Sequence, residues 1–347
     1  MSENKKLIKI KNINERKGNK MITLTKEDKD KIRVFAGTSS EKLAEKIVKY
    51  LDMDLSAAEI VKFADGETFA KAKKSVRGCK VFIIQSTSKP VNESLMELLV
   101  FIDAIKRSSA KEIIAVIPYY GYARQDRKAA GRQPISARLV ADLLQTAGAS
   151  KIIAIDLHNP SIQGFFNIPV DDLRGQFIFG KELKNRKDKF VIVSPDHGGA
   201  VRARQLSELL QSDDEIAIID KRRTGPNKSE IMGVLGNVAD KNVVIYDDII
   251  DTGGTILHAV EALKEQGAKK IIVAATHGLF SKGFDMFEND SNVTEVIVTD
   301  STNLKNTQNY KKLRILSLDE FLGKVIEANI NKTSITEVYN DYIRQKK

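Results

Sequence analysis

The feature that most constrains the fold is an alternation that begins near residue 31. Short runs rich in Val and Ile are followed there by amphipathic stretches of helical length. This alternation is typical of parallel sheets, because parallel neighbours need a long connection, usually a helix, between them. Two such arrays follow each other along the chain. They predict an α/β protein with two tandem domains, each a mainly parallel sheet flanked by helices.

The apolar runs give the strands and the amphipathic stretches give the helices. The predicted strands are Ile32–Phe35, Val81–Ile84, Ile113–Ile117, Ile152–Ile155, Phe190–Val193, Ile216–Ile219, Val243–Tyr246, Ile271–Ala274 and Val296–Val298. The predicted helices are Glu41–Leu51, Val91–Ser108, Ile135–Ala147, Arg202–Leu210 and Ile256–Gln266, with closing helices at Leu318–Ile326 and Ile335–Ile343. Gly148 and Gly267 follow two of the helices as C-terminal stops.

A break between the two arrays sets the domain boundary. Gly164, Pro169 and Gly175 interrupt the pattern there. We therefore predict an N-terminal α/β domain over residues 31–170 and a C-terminal α/β domain over residues 171–347, which includes the closing helices. The Lys-dense start predicts a solvated, partly disordered basic extension over residues 1–30.

Charge and composition limit the classes of partner. A formal net charge of +10 favours anionic partners, namely phosphorylated metabolites, nucleic acid or a membrane surface. Aromatic residues make up only 6% of the chain and tryptophan is absent, which disfavours nucleic acid. Membrane insertion is disfavoured because no apolar run approaches the roughly 20 residues of a spanning helix. The single cysteine, Cys79, excludes an intrachain disulfide and suits the cytoplasm.

The most informative polar segment follows the predicted strand Val243–Tyr246. Ligands of open parallel sheets bind beyond the carboxyl ends of the strands, and a predicted helix follows this segment. Glycine N–H groups, threonine hydroxyls and a helix start together form a phosphate cradle, and adjacent carboxylates suit sugar hydroxyls or a metal. The alternative is an acidic strand end followed by a simple glycine turn. The segment comprises Asp247, Asp248, Asp251, Thr252, Gly253, Gly254 and Thr255.

This segment resembles the ribose-phosphate loop of the type I phosphoribosyltransferase fold. Enzymes that consume phosphoribosyl pyrophosphate share that fold with the one that makes it. From about residue 32 to about 325, the chain resembles the ribose-phosphate pyrophosphokinase family. The matching segments are Phe63–Glu67, Arg77–Thr87, Pro118–Lys128, Asp156–Phe166, Ser194–Gly199 and Asp220–Arg223.

The resemblance implies a role for each matching residue. It implies catalytic roles for Lys221 and Arg223, and Mg²⁺ contacts for His158 and Asp196. The implied ATP-binding residues are Phe63, Asp65, Gly66, Glu67, Arg124 and Gln125. The implied ribose 5-phosphate-binding residues are Arg223, Asp247, Asp248, Asp251, Thr252, Gly253, Gly254 and Thr255. Without the resemblance, Phe63 would be assigned to the core and Arg124 to the solvated surface.

Other residues are assigned by more general arguments. The histidines His197, His258 and His277 are taken as structural. Gly225, Pro226 and Asn227 predict a mobile loop after Arg223.

The implied reaction is transfer of the diphosphoryl group of Mg-ATP to ribose 5-phosphate. The resemblance further implies a homo-oligomer, a dimer that assembles into a hexamer, with phosphate and ADP as effectors. Two alternatives stay open, a phosphoribosyltransferase and a non-catalytic regulatory relative. Departures from the family pattern put the regulation in doubt, and they lie at Ala130, Gly131, Gln133, Lys71, Lys73 and Lys74.

Overall fold

The computed structural model of the protein describes residues 29–225 and 228–343. Within these ranges, the side chains of residues 222–225 and 228–231 are not described. The prediction of a basic extension therefore lies almost wholly outside the described residues. None of the described helices is both long enough and apolar enough to cross a membrane.

The first sheet is built from the N-terminal half of the chain. Its strands are all parallel, in the order β1, β4, β5, β6, β7. They are β1 (Ile32–Ala36), β4 (Lys80–Ile84), β5 (Glu112–Ile117), β6 (Lys151–Ile155) and β7 (Val170–Leu173). A separate antiparallel hairpin, β2 (Ala58–Lys62) and β3 (Thr68–Ala72), stands beside this sheet.

The second sheet has the order β10, β9, β8, β11, β12, β13, β14. Its strands are parallel except for β10, which is antiparallel to β9. The strands are β8 (Val191–Ser194), β9 (Ala217–Gly225), β10 (Lys228–Leu235), β11 (Val243–Ile250), β12 (Ile271–Gly278), β13 (Val293–Thr299) and β14 (Leu313–Leu316). The central strands are buried on both faces, which explains their continuous Val and Ile content.

Helices cover the faces of both sheets. In the described part of the chain they are α1 (Glu41–Tyr50), α2 (Val91–Arg107), α3 (Ser136–Ala147), α4 (Gln176–Lys184), α5 (Ala200–Leu210), α6 (Gly254–Glu265), α7 (Asp285–Asn289), α8 (Asp319–Asn331) and α9 (Ile335–Ile343), with a 3₁₀ helix at Pro160–Phe165. Helices α2 and α3 pack on one face of the first sheet, while α1, α8 and α9 pack on the other. In the second sheet, α6 covers one face and α5 the other.

The predicted α/β class and the two parallel sheets are confirmed, and all nine predicted strands are present. The sequence pattern missed β2, β3, β7, β10 and β14, which are half-exposed or short, and it also missed α4 and α7. The mobile loop was predicted after Arg223, where β9 continues to Gly225 and β10 begins at Lys228 antiparallel to it; Pro226 and Asn227 of that prediction lie outside the described residues. Helices α8 and α9, which the sequence groups with the second half, pack against the first sheet.

The two sheets meet at a buried polar junction. Asp156 accepts hydrogen bonds from Thr276 Oγ1 at 2.5 Å and from the backbone N of Gly175 at 3.1 Å. His277 is 1% exposed, and its Nε2 lies 3.0 Å from the carbonyl oxygen of Ile155. The bonds of Thr276 and His277 join the end of β6 to β12 of the second sheet, whereas the bond of Gly175 joins β6 to the chain that leaves the neighbouring strand β7. The junction therefore fixes the strand ends of one sheet against those of the other.

Candidate active site

The carboxyl ends of three neighbouring strands carry most of the predicted site residues. His158 follows β6, Asp196 follows β8, and Asp247 and Asp248 lie near the end of β11. Because β8 and β11 are adjacent and the junction brings β6 alongside, the ends of these strands lie close together, and His158 contacts Asp248 directly. The geometry agrees with the general location of ligand sites in open parallel sheets.

Asp247 and Asp248 share one guanidinium. Arg202 of α5 places Nη1 at 3.0 Å from Asp247 Oδ1 and at 3.0 Å from Asp248 Oδ1. The second oxygen of Asp248 lies 2.7 Å from His158 Nδ1, which must carry the proton because an ionised carboxylate can only accept. The side chain of Asp248 is 5% exposed and that of Asp247 is 23% exposed. Asp247 is therefore the member of the pair that a ligand can reach.

The two carboxylates differ in their affinity for protons. Burial, reinforced by the negative charge of Asp248, raises the pKa of Asp247 well above its ordinary value. Burial opposes ionisation of Asp248 as well, but the hydrogen bond from His158 and the charge of Arg202 outweigh it and lower the pKa of Asp248. The pair therefore carries one firmly ionised carboxylate and one that is readily protonated.

Lys221 lies in β9 beside these carboxylates. Its Nζ is buried and has no hydrogen-bond partner among the described residues. Burial lowers the pKa of Lys221, while the charges of Asp196 and Asp247 oppose that shift. Arg223 lies two residues further along β9, and its side chain is outside the described part. The structure thus brings Lys221 close to Asp196 and Asp247.

The loop after β11 continues into a helix, as the sequence predicts. Gly253 has a φ of +85° at the residue before α6, and Thr252 and Thr255 are exposed beside it. Asp251 accepts a hydrogen bond from Arg124 Nη1 at 2.5 Å. Burial would raise the pKa of Asp251, but the hydrogen bonds from Ser281 and Arg124 lower it. One predicted ATP-side residue therefore contacts the predicted ribose-phosphate loop directly.

The other predicted ATP-side residues are less closely joined. Gln125 Oε1 accepts a hydrogen bond from Ser136 Oγ at 2.5 Å, which ties the segment after β5 to α3. Phe63, Asp65, Gly66 and Glu67 form the turn between β2 and β3, where Glu67 N donates to Asp65 Oδ1 at 3.0 Å. Phe63 is 51% exposed, so it is not a core residue. Within the described ranges, no hydrogen bond or ion pair joins this turn to Arg124, Gln125 or the strand edge.

Sequence reasoning missed Arg202, which it treated only as the start of a helix. An arginine in the first turn of a helix after Gly198 and Gly199 is a weak signal, because only the fold shows that it faces β11. Of the histidines taken as structural, His277 is buried in the junction and His258 is exposed on α6. His197 Nε2 lies 2.9 Å from Asp220 Oδ1, next to Lys221.

A strand edge with paired carboxylates, a glycine–threonine loop and a following helix defines an α/β protein of the phosphoribosyltransferase fold. Residues 32–148 match the family model of the N-terminal domain of ribose phosphate pyrophosphokinase, and residues 173–311 match that of the phosphoribosyl transferase domain. The chain therefore belongs to the ribose-phosphate pyrophosphokinase family and is a diphosphotransferase. The resemblance inferred from the sequence is confirmed.

Individual relatives are similar over nearly their whole length. A ribose-phosphate pyrophosphokinase of Mycoplasmopsis pulmonis is 53% identical over 320 residues, which is 92% of this chain and 100% of the relative. One of Bacillus subtilis is 46% identical over 311 residues, which is 89% of this chain and 97% of the relative. The crystal structure of a phosphoribosylpyrophosphate synthetase from Mycobacterium smegmatis is 41% identical, with a TM-score of 0.81, and covers 87% of this chain and 99% of its own.

Proposed function

We propose that this chain transfers the diphosphoryl group of Mg-ATP to the 1-hydroxyl of ribose 5-phosphate. The products are 5-phosphoribosyl 1-pyrophosphate and AMP, and the reaction serves nucleotide biosynthesis. The observation that carries the proposal is Lys221, a buried ammonium without a hydrogen-bond partner in the described chain, close to Asp196 and Asp247. A desolvated cation of this kind suits an anion that arrives with the substrate.

Ribose 5-phosphate is assigned to the loop and carboxylates that follow β11. The 5-phosphate would accept hydrogen bonds from the backbone and hydroxyl donors of Asp251–Thr255 at the start of α6. Asp247, the more exposed carboxylate, would accept hydrogen bonds from the ribose hydroxyls, with Asp248 behind it. Contacts with both the 5-phosphate and the ribose hydroxyls would orient the 1-hydroxyl of ribose 5-phosphate. In phosphoryl-type transfers that need no covalent intermediate, such orientation accounts for much of the rate enhancement.

ATP is assigned to Arg124 and Gln125 together with Phe63, Asp65, Gly66 and Glu67. An exposed phenyl ring can stack on adenine, and an arginine can pair with phosphate oxygens. In this division, residues 31–170 supply the ATP side, and residues 171–347 supply the ribose 5-phosphate site and the catalytic strands. The contact between Arg124 and Asp251 supports binding of the two substrates close to each other.

Mg²⁺ is assigned to Asp196 and His158, which can hold the ion only together with ligands from the substrate. Mg²⁺ commonly combines one or two carboxylates with water and substrate phosphates. In the described part of the chain, no cluster of three or more His, Cys, Asp or Glu side chains can hold a metal without such help. The exposed Asp196 carboxylate fits that arrangement, and His158, held by Asp248 through Nδ1, retains Nε2 for a water or a phosphate. When bound, the ion would neutralise nonbridging phosphate oxygens.

In the proposed reaction, the 1-hydroxyl oxygen attacks the β-phosphorus of ATP. The bond between the β-phosphorus and the oxygen that bridges to the α-phosphate breaks, the hydroxyl proton is lost, and AMP leaves. Lys221 and Arg223 would neutralise the charge that spreads over the transferring group. The role of the chain is thus to position both substrates and to supply fixed positive charge.

The test is to replace Lys221 and follow AMP release from ATP, Mg²⁺ and ribose 5-phosphate. Lys221→Ala should fold normally and lose turnover by about 100-fold or more, with much less change in ribose 5-phosphate affinity. Lys241→Ala is the matched control, because Lys241 lies outside the site in an ion pair with Asp214 at 2.6 Å. Near-normal turnover of Lys221→Ala would contradict its role. Absence of AMP from the wild-type protein would instead favour a non-catalytic relative or a phosphoribosyltransferase.

A homo-oligomer is part of the proposal, with a dimer as its unit and a hexamer as the assembly. Large apolar side chains are exposed on the β2–β3 hairpin, α2 and α3, which all border one face of the first sheet. These side chains are Val61, Phe63, Phe69, Met96, Leu139 and Leu143. Covering them would place the Phe63 turn next to a neighbouring subunit, whose ATP site it would complete. Light scattering of the purified protein measures the assembly directly.

The cytoplasm is the proposed location, and phosphate and ADP are the proposed effectors. Three of the departures from the family pattern, Ala130, Gly131 and Gln133, lie in one turn, in which Gln133 Oε1 accepts hydrogen bonds from the backbone N atoms of Ala129 and Ala130 at 3.0 and 3.1 Å. AMP release measured with and without added phosphate and ADP tests both effectors.

A further inference from the structure

Arg202 is half-buried among the groups assigned to ribose, although no site assignment includes it. It lies in the first turn of α5, and its side chain is 21% exposed. Its Nη1 bridges Asp247 Oδ1 and Asp248 Oδ1 at 3.0 Å each. Burial would lower the pKa of Arg202, but the charges of Asp248 and Asp247 raise it, so the guanidinium stays charged.

The bridge is unusual because consecutive residues of a strand normally point to opposite faces of the sheet. Tyr246 faces α5, so alternation sends Asp248 toward α5 and Asp247 away from it. Asp247 nevertheless reaches Arg202, and its Oδ1 also accepts the backbone N–H of Asp248 at 2.9 Å. Arg202 thus holds the Asp247 carboxylate in an orientation that the strand alone would not give it.

The bridge also determines which oxygens remain for a ligand. Both oxygens of Asp248 are occupied, one by Arg202 and the other by His158. Asp247 is the more exposed of the two, and its contact with Arg202 uses only Oδ1. Without the guanidinium the two adjacent carboxylates would repel each other, and Asp247 would lose the contact that fixes its Oδ1 and directs its second oxygen toward a ligand.

We propose that Arg202 is a positioning residue for ribose 5-phosphate, which holds Asp247 and Asp248 together so that Asp247 accepts hydrogen bonds from the sugar hydroxyls. The inference rests on the proposed function. Arg202 acts through the carboxylates and does not touch the reacting atoms. Loss of Arg202 should therefore weaken the binding of ribose 5-phosphate and leave the binding of ATP unchanged.

The experiment compares Arg202→Met and Arg202→Lys with the wild-type protein. Arg202→Met should raise the KM for ribose 5-phosphate by about tenfold to a hundredfold, as expected for lost charge-assisted hydrogen bonds. The KM for ATP should change by less than about threefold, and Arg202→Lys, which keeps the charge, should fall between the two proteins. Arg204→Met is the matched control, because Arg204 is exposed two residues later in α5 and should leave both KM values unchanged.

Folding is tested separately, because a buried carboxylate pair without a counter-ion can destabilise the whole chain. If Arg202→Met lowers the thermal midpoint, adding Asp247→Asn should recover most of the loss, since the repulsion between the two neighbouring carboxyl groups is then removed. Ribose 5-phosphate binding by calorimetry without ATP should weaken in Arg202→Lys. An unchanged KM for ribose 5-phosphate, an equal rise in both KM values, or no recovery in the double variant would overturn the proposal.

The proposed function and the role of Arg202 are distinguished by different results. If the wild-type protein releases no AMP from ATP and ribose 5-phosphate, the proposed function fails. If the wild-type protein is active and Arg202→Lys binds ribose 5-phosphate as tightly as the wild-type protein, only the proposed role of Arg202 fails.

Discussion

Replacing Gly253 by alanine tests the local structure of the proposed phosphate loop. Gly253 has a φ of +85°, a conformation that side chains with a Cβ rarely adopt. A Cβ at this position would lie 2.6 Å from Met286 Sδ and 2.8 Å from a ring carbon of Phe287. The methionine can move, but Phe287 is fully buried against the rings of Phe280 and Phe284 and cannot.

The cost of Gly253→Ala has two parts. The left-handed backbone costs roughly 1–2 kcal/mol for a residue with a Cβ. Forcing a methyl group against a packed ring adds about 1–3 kcal/mol. The sum of about 2–5 kcal/mol is a large fraction of the stability of a typical domain.

Urea unfolding followed by circular dichroism measures this loss. The midpoint of Gly253→Ala should fall by roughly 1 M, and the KM for ribose 5-phosphate should rise because the loop moves. Gly254→Ala is the stability control, since a Cβ there meets nothing within 4 Å. A midpoint for Gly253→Ala equal to that of Gly254→Ala would refute the strain argument.

Two further predictions concern buried ionisable groups. Burial raises the pKa of Asp172 from 3.8 to about 6, so the folded chain binds the extra proton between these values and loses stability as pH rises through them. Asp172→Asn should therefore be more stable than the wild type at pH 8, by up to about 3 kcal/mol. Urea unfolding midpoints should show this gain shrinking toward pH 4, and a gain that is independent of pH would contradict the prediction. His277→Ala should reduce the free energy of unfolding by roughly 2–4 kcal/mol and so lower the thermal midpoint, because it leaves a cavity and removes the hydrogen-bond partner at the carbonyl oxygen of Ile155. His258 is exposed, so His258→Ala should leave the midpoint unchanged.

The sequence predicted the elements whose physical signal is local. Central strands such as β11 and β12 are buried on both faces, so their apolar runs are continuous and easily recognised. Strand β2 carries Glu59 and Lys62 and is half-exposed, so it leaves no such run. Helix α4 was missed because its apolar residues are divided between two cores, with Ile178 in one and Phe179 in the other.

The site could be predicted only in part, for a related reason. The segment after β11 combines strand, carboxylates and glycines within a few residues, so its chemistry is visible in the sequence. Arg202 is 45 residues away from Asp247, and only the packing of α5 on the second sheet brings them together. Contacts of this kind depend on tertiary structure, which residue spacing does not encode.

The proposed acceptor site combines residues from both halves of the chain. Asp248 is held by His158 and Asp251 by Arg124, and both partners come from the first half. Asp156 and His277 join the sheets through buried hydrogen bonds just below these contacts, where water cannot compete for them. Because the junction fixes the strand ends, the carboxylates near the end of β11 and the arginine that follows β5 keep one relative position. Two substrates bound at the proposed site would therefore be aligned by the fold itself, which is why we expect the proposed site to need both halves of the chain.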